Sequence, residues 1–275
     1  MSEGFVKRIL VSAGSVLIAI FCILPFFWMV VVSFAERPDF LITKNLALTL
    51  DNYKDLIRIR SLHFLEYLRN SLVVSVTASS LLILIALLAA YAVSRFRFKG
   101  KSFLSMSILS LSTFPQISIV GYLYKLIRAM GLTNTYAALI LPYIAWSIPL
   151  GFWLLLTYLS QIPQELDNAA IVDGASRTKI IRKIIIPVGA PGILSATLLV
   201  FIACFNEFLF ALMLTSDHKA RTIPVAIALF QGLHGEIPWG HIMAASALTS
   251  IPIVALALVF QRYIVQDITR GALKS

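Results

Sequence analysis

Runs of about twenty apolar residues recur along this chain, and no other feature limits its fold so strongly. A helix needs about 20 such residues to cross the ~30 Å hydrocarbon core of a bilayer. Six runs can be drawn, over 9–34, 71–93, 103–124, 136–159, 188–215 and 241–261. The first contains Pro25. The third is serine-rich and broken by Pro115, which predicts a kink or a place inside a bundle. Charged residues make up 13% of the chain and hydrophobic ones 59%, whereas soluble domains carry about a quarter charged. The expected fold is an all-α polytopic membrane protein with six transmembrane helices in one domain, 1–275. No internal repeat, low-complexity tract or second domain is visible.

The net charge of +10 would suggest a nucleic-acid partner in a soluble protein. Here the lysines and arginines gather in loops beside apolar spans, so membrane lipid is the expected neighbour and nucleic acid is not. Six spans put both termini on one side. That side holds Lys7, Arg8, Arg95, Arg97, Lys99, Lys101, Arg177, Lys179, Arg182, Lys183, Arg262, Arg270 and Lys274, against ten basic residues in the other loops. The excess predicts cytoplasmic N- and C-termini. The first run exceeds a signal-peptide core in length and reads as a retained span. Cys22 and Cys204 lie within apolar runs and offer no disulfide framework or metal-ligand spacing.

The segment 161–187, QIPQELDNAAIVDGASRTKIIRKIIIP, interrupts this apolar pattern and falls on the side of the termini. Pro163 suits a first helical turn, and Glu165 and Asp167 suit the positive end of a helix. Leu166, Ala169 and Ala170 recur at helical spacing. Gly174 is a natural helix stop, Ser176 a cap for a second helix, and Ile180, Ile181, Ile184 and Ile185 form one stripe. Pro187 is expected to close that helix. A helix–turn–helix this short must pack on something. One reading lays both helices on the lipid surface. A second, a DNA-reading helix-turn-helix, is disfavoured because both ends are tethered to the membrane.

Two alanines, a glycine and a distal proline at this spacing resemble the cytoplasmic loop of permease subunits of ATP-binding-cassette importers. That pattern runs Glu-Ala-Ala, three residues, Gly, nine residues, Ile-x-Leu-Pro. Ala169, Ala170, Gly174, Ile184 and Pro187 match it, and Asp173 is common before the glycine. Asn168 stands where the glutamate is usual and Ile186 where the leucine is. The stretches NSLVVS, YAVSRFRFKGK, FNEFLFAL and QRYIVQDITRGALKS are similar to pieces of the carbohydrate permeases of the maltose and trehalose type, with departures at Asp267 and Ser275.

The resemblance implies the type I importer permease architecture and a mechanism of alternating access. It implies a second homologous permease subunit, two cytoplasmic ATPase subunits and an extracytoplasmic sugar-binding protein as partners, with a sugar as substrate. It makes the segment a coupling helix, with Asn168, Ala169, Ala170, Asp173, Gly174, Arg177, Ile184 and Pro187 at the ATPase contact. Small alanines allow close helix approach, and Gly174 allows a sharp turn at positive φ. Asn168 keeps a hydrogen-bonding group but lacks the charge a glutamate would offer an arginine, so the contact there is weaker or differently paired.

The chain itself is expected to hold no cofactor, with ATP on the partner subunits. Gly100, Lys101 and Ser102 spell the end of a phosphate-binding loop, but Arg95 stands where its first glycine belongs. No metal site is expected, because His63, His218, His234 and His241 show no metal-ligand spacing. Glu207 is the only acid within a span and must face protein or water. A continuous helix would put Ala203, Glu207 and Ala211 on one face and Phe201, Phe205 and Phe208 on another. Two readings stay open: Glu207 pairs with a neighbouring helix while the phenylalanines face lipid, or Asn206 and Glu207 touch a hydroxyl-rich substrate. Ser105, Ser112 and Gln116 form a polar stripe on the third span, where packing is the better reading for the serines. Tyr143 and Trp146 sit mid-span on the fourth. Gln116, Tyr143, Trp146, Asn206 and Glu207 are the candidate substrate pathway. A glycerol phosphate importer is the neighbouring alternative. An intramembrane enzyme lacks the paired acids or metal motif it needs, and a passive channel has no use for the 161–187 segment.

Overall fold

The computed structural model describes residues 3–36, 47–59, 62–230 and 237–272. His234, Ser275 and the side chains of the tail from Arg262 onward, Asp267 among them, lie outside the described residues. The named elements are all helices: α1 (Glu3–Phe34), α2 (Asp51–Arg58), α3 (Phe64–Arg95), α4 (Lys101–Leu111), α5 (Gln116–Ala129), α6 (Tyr136–Leu159), α7 (Glu165–Val172), α8 (Arg177–Phe205), α9 (Leu209–Leu214), α10 (Ile223–Ala228) and α11 (Trp239–Ala272). Among the described residues, five helices are long and apolar enough to span a bilayer, and α4 with α5 makes a sixth if a bent pair counts as one span. The bend is 89° and falls at Pro115, which lacks the N–H a continuing helix would need and instead stands at the start of α5. The expected polar stripe is broken there. Ser105 and Ser112 lie on the α4 side, Gln116 opens α5, and only Ser105 of the two serines is buried.

The chain forms two compact units. In the unit holding α1, α2 and the start of α11, the loop helix α2 pins the end of α1. The buried Asn52 amide donates to the carbonyls of Ser33 and Ala35, each at 3.0 Å, and the Ser33 and Tyr53 hydroxyls meet at 2.6 Å. An isolated antiparallel bridge joins Ala35 to Leu48. His241, on the first turn of α11, lies 3.2 Å from Asp55. The loop between the first two spans thus carries an ordered helical clip.

In the other unit, α3, α6 and α8 share an apolar core that includes Leu82, Ala86, Phe152, Leu155, Leu159 and Val200. Pro142 and Pro149 lie inside α6 and are tolerated because neighbouring helices cover the freed backbone. Gly192 of α8 approaches α6 so closely that a Cβ would sit 2.2 Å from the Tyr158 ring. Overpacking of this kind costs about 1–3 kcal/mol or more. Gly192→Val is therefore expected to lower the melting temperature of the detergent-purified protein by several degrees. Gly121→Ala, where a Cβ meets open space, is the control and should leave it unchanged or slightly raised.

Two expectations for the fifth span are corrected. Pro187 does not close a helix, because Arg177–Phe205 is continuous. A proline cannot donate to the carbonyl four residues back. A π-turn over Ile181–Ile185 ends immediately before Ile186 and Pro187 resume the α-helix and absorbs the missing bond without ending the helix. The span also stops at Phe205 rather than running to Thr215. The Asn206 side chain donates back to the Ile202 carbonyl at 3.0 Å, and after the break α9 restarts at Leu209.

The connection that follows α9 is held by polar side chains, of which Asn70 and Ser71 are buried. Asn70, at the head of the NSLVVS stretch, donates to the carbonyls of His218 at 2.9 Å and Arg221 at 3.0 Å and accepts from the Tyr136 hydroxyl at 2.6 Å. Ser71 accepts from the Ile223 N–H at 2.8 Å. The Asn134 amide, with help from the Lys219 N–H, holds the Asp217 carboxyl below the usual carboxylate range.

Candidate functional site

Two groupings of predicted residues can be followed into the structure. The first is the 161–187 segment. α7 begins after Gln164, with Pro163 outside it rather than in its first turn. It ends in a Schellman motif: the Gly174 N–H donates to the Ile171 carbonyl at 3.0 Å and the Ala175 N–H to the Ala170 carbonyl at 2.9 Å. Gly174 has φ +75°, the left-handed region glycine enters without a Cβ penalty. Nothing lies within 4 Å of the position a Cβ would take, so backbone conformation rather than space requires the glycine. Ser176 caps α8, accepting from the Lys179 N–H at 3.4 Å. Ile180 and Ile185 are fully buried in the protein core, with Ile181 and Ile184 packed against it. The isoleucine stripe is thus a protein contact, which excludes the reading in which both helices lie on lipid.

The buried face of α7 differs from the expected one. Asp167 and Ala170 turn inward, while Leu166, Asn168, Ala169, Ile171 and Val172 are exposed. The rotation has an electrostatic cause. Arg95 Nε, at the end of α3, approaches Asp167 Oδ2 at 2.8 Å, and each side chain is only 3% exposed. The contact is an ion pair rather than an aligned hydrogen bond. The Tyr91 hydroxyl, one turn earlier on α3, donates to the same oxygen at 3.3 Å. The Gln164 amide reaches the Ser94 carbonyl at 3.4 Å, and the Arg177 guanidinium lies 5.2 Å above the centre of the Phe96 ring. Asp167 is committed to this pairing and cannot take the place of the charge missing at Asn168, which faces outward. Asp173, Arg177 and Pro187 are also exposed, Ile184 partly so. The role of Arg95 and Asp167 was missed in the sequence. Tyr91 and Arg95 share a helix face at i, i+4, but nothing local names their partner.

The second grouping surrounds the break between α8 and α9. Glu207 is in the break, not on a helix face, so the expected Ala203–Glu207–Ala211 face does not exist; Ala203 is exposed and Ala211 buried. The carboxylate caps α9, accepting from the Phe210 N–H at 2.8 Å and the Ala211 N–H at 3.2 Å, and it accepts from the Gln116 amide at 3.1 Å. Tyr143 is 1% exposed, and its hydroxyl has no aligned hydrogen bond. Trp146 packs edge-on against Phe210 with centroids 5.8 Å apart. Asn206 is exposed and occupied with its own helix. Gln116, Tyr143 and Glu207 are therefore brought together, the Tyr143 hydroxyl facing the carboxylate without an aligned hydrogen bond, whereas Asn206 turns elsewhere. Phe201 and Phe205 do not face lipid: they are 4% and 1% exposed, while Phe208 is on the surface.

The sequence pattern of the family described as binding-protein-dependent transport system inner membrane component matches residues 82–270. The chain is 54% identical over 276 residues to the trehalose/maltose transport system permease protein of Thermococcus litoralis, covering 100% of this chain and 99% of that one. It is 41% identical over 227 residues to the trehalose transport system permease protein of Mycobacterium tuberculosis, covering 82% of each. In fold it is similar to a chain of a bacterial ABC transporter that imports the acidic polysaccharide alginate, with a TM-score of 0.76 and 19% identity over 96% of this chain and 98% of that one. The apolar spans, the bent pair α4–α5, the turn at Gly174 and these matches agree, and the chain belongs to the family of inner-membrane components of binding-protein-dependent transport systems.

Proposed function

We propose that this chain is the permease subunit of an ATP-binding-cassette importer for a sugar, a disaccharide of the trehalose or maltose kind. The single observation that carries the substrate is the full-length likeness to a trehalose/maltose permease. The 161–187 segment is the ATPase contact, with both termini on its cytoplasmic side. Its geometry supports this: α7 is anchored on its inner face by Asp167 and presents Asn168, Ala169 and Val172 outward, Val172 at 87% exposure. An exposed aliphatic and small-residue edge of this kind suits a protein groove. A homologous permease, two ATPase subunits and an extracytoplasmic binding protein complete the assembly, and ATP stays on the ATPase. Closure of the ATPases draws the loop helices together and rocks the spans between inward and outward openings. Of the candidate pathway residues Gln116, Tyr143, Trp146, Asn206 and Glu207, Asn206 is the most accessible, while Glu207, held by Gln116 and by the first N–H groups of α9, is read as scaffold.

Site-directed crosslinking tests the reading. In a background lacking Cys22 and Cys204, a cysteine at the exposed Ala169 should crosslink to one on the ATPase surface in membranes, with a yield that changes with nucleotide. A cysteine at the exposed Ser216 should not, since it lies on the opposite side. Labelling of the Ser216 probe by cytoplasmic reagents, with the Ala169 probe protected, would invert the topology and end the importer reading. Uptake of labelled trehalose and maltose by cells with and without the chain tests the substrate. Loss of glycerol phosphate uptake instead would reassign it.

A further inference from the structure

The buried pair Arg95–Asp167 has no part in the proposed ATPase contact, yet it is the most costly feature of the loop. Both side chains are 3% exposed. The pair is also incompletely satisfied: Arg95 Nη2 and Asp167 Oδ1 are buried without a hydrogen bond. Burying two charges with unmet hydrogen-bonding capacity gains little stability over an apolar pair of the same volume. What an ion pair does supply is fixed geometry, because its members cannot part without leaving an unpaired charge in the protein interior. It sits at one junction. Arg95 is the last residue of α3, the second span, and Asp167 is in the first turn of α7. Around it, Tyr91 to Asp167, Gln164 to Ser94 and Arg177 over Phe96 tie the same two segments. Apolar helix faces can slide past each other; a charge pair flanked by directional contacts resists sliding.

We infer that Arg95 and Asp167 are positioning residues for energy coupling: their ion pair locks α7 to the end of α3, so that displacement of the loop helix moves the second span with it. The inference rests on reading the 161–187 segment as the ATPase contact. It gives the basic residue at the end of the YAVSR stretch a task beyond anchoring topology. The outward residues of α7 meet the partner, and Asp167, on the inner side, passes the movement to the membrane.

The test uses the complete importer in proteoliposomes, with sugar uptake and ATP hydrolysis measured on the same vesicles. The variants are Asp167→Asn, Arg95→Gln, the reversed pair Arg95→Asp with Asp167→Arg, and the apolar pair Arg95→Met with Asp167→Leu. The single variants are expected to hydrolyse ATP while uptake per ATP falls about tenfold, within the range by which residues remote from both ligands alter coupling. The apolar pair should assemble with normal stability and remain uncoupled, and the reversed pair should regain much of the lost ratio. Normal uptake per ATP in the apolar pair would make the contact simple packing and overturn the inference. So would normal coupling in an assembled Asp167→Asn importer. Failure of both double variants to assemble would make the pair a folding element and overturn it equally. Crosslinking from Ala169 in the unmodified chain separates the premises: its absence refutes the ATPase contact itself, whereas its persistence with unchanged coupling ratios refutes only the role of the pair.

Discussion

Gly174→Val is expected to abolish both substrate-stimulated ATP hydrolysis and uptake by the assembled importer. Gly174 sits at φ +75°, where an L-residue is disfavoured by about 1–2 kcal/mol and a β-branched one is a genuine outlier. The change also removes the two Schellman hydrogen bonds that end α7, each worth about 1 kcal/mol net. An eight-residue helix has almost no stability of its own, so losing its stop and its anchor angle displaces the surface offered to a partner. Because a Cβ meets nothing within 4 Å, the defect belongs to the backbone. A graded series follows: activity should fall in the order Gly, Asn, Ala, Val, since asparagine enters the left-handed region more readily than alanine. Hydrolysis and uptake assays on the four proteins decide the matter. A fully active valine variant, or an asparagine variant as defective as valine, would remove φ as the reason for the glycine.

Glu207→Leu is expected to lower the stability of the transmembrane region by several kcal/mol, about 1–3 for each buried donor it leaves unpaired. It leaves the N–H groups of Phe210 and Ala211 and the amide of Gln116 without their acceptor, and α9 loses its cap. The protein should fail to assemble or should melt well below the unmodified chain. Glu207→Gln keeps one carbonyl oxygen at the same place and should recover most of the stability, with the apparent affinity for sugar unchanged. Thermal unfolding in detergent, paired with uptake kinetics, separates this from a transport role. A stable Glu207→Gln importer that binds sugar but does not transport it would place the carboxylate in the pathway and not in the scaffold.

Most of the architecture was legible along the chain. The fourth apolar run has the bounds of α6, Pro115 marks the bend between α4 and α5, and Gly174 and Ser176 act as the stop and cap their residue types predict. Sequence and structure part where distant residues, rather than an element's own, decide its end or its buried face. Pro187 looks terminal to any local rule, yet the π-turn over Ile181–Ile185 lets α8 run on to Phe205. Phe201 and Phe205 look lipid-facing on an unbroken helix, yet they are buried. Leu166 looks like the inner face of α7, and Asp167 took that place.

The presence of apolar spans, the turn at Gly174 and the cap at Ser176 are properties of a few neighbouring residues: how much apolar surface a segment carries, and which φ a residue can adopt. The sequence therefore determined them unaided. The pairings of the polar groups were a matter for the tertiary structure alone. Tyr91 lies 76 residues from Asp167 and Gln116 91 residues from Glu207. A charge or carboxylate within a membrane protein must find a partner, but the requirement is silent on which one. The partner is whichever group the packing of α3 against α7, or of α5 beside the break before α9, brings within hydrogen-bonding distance.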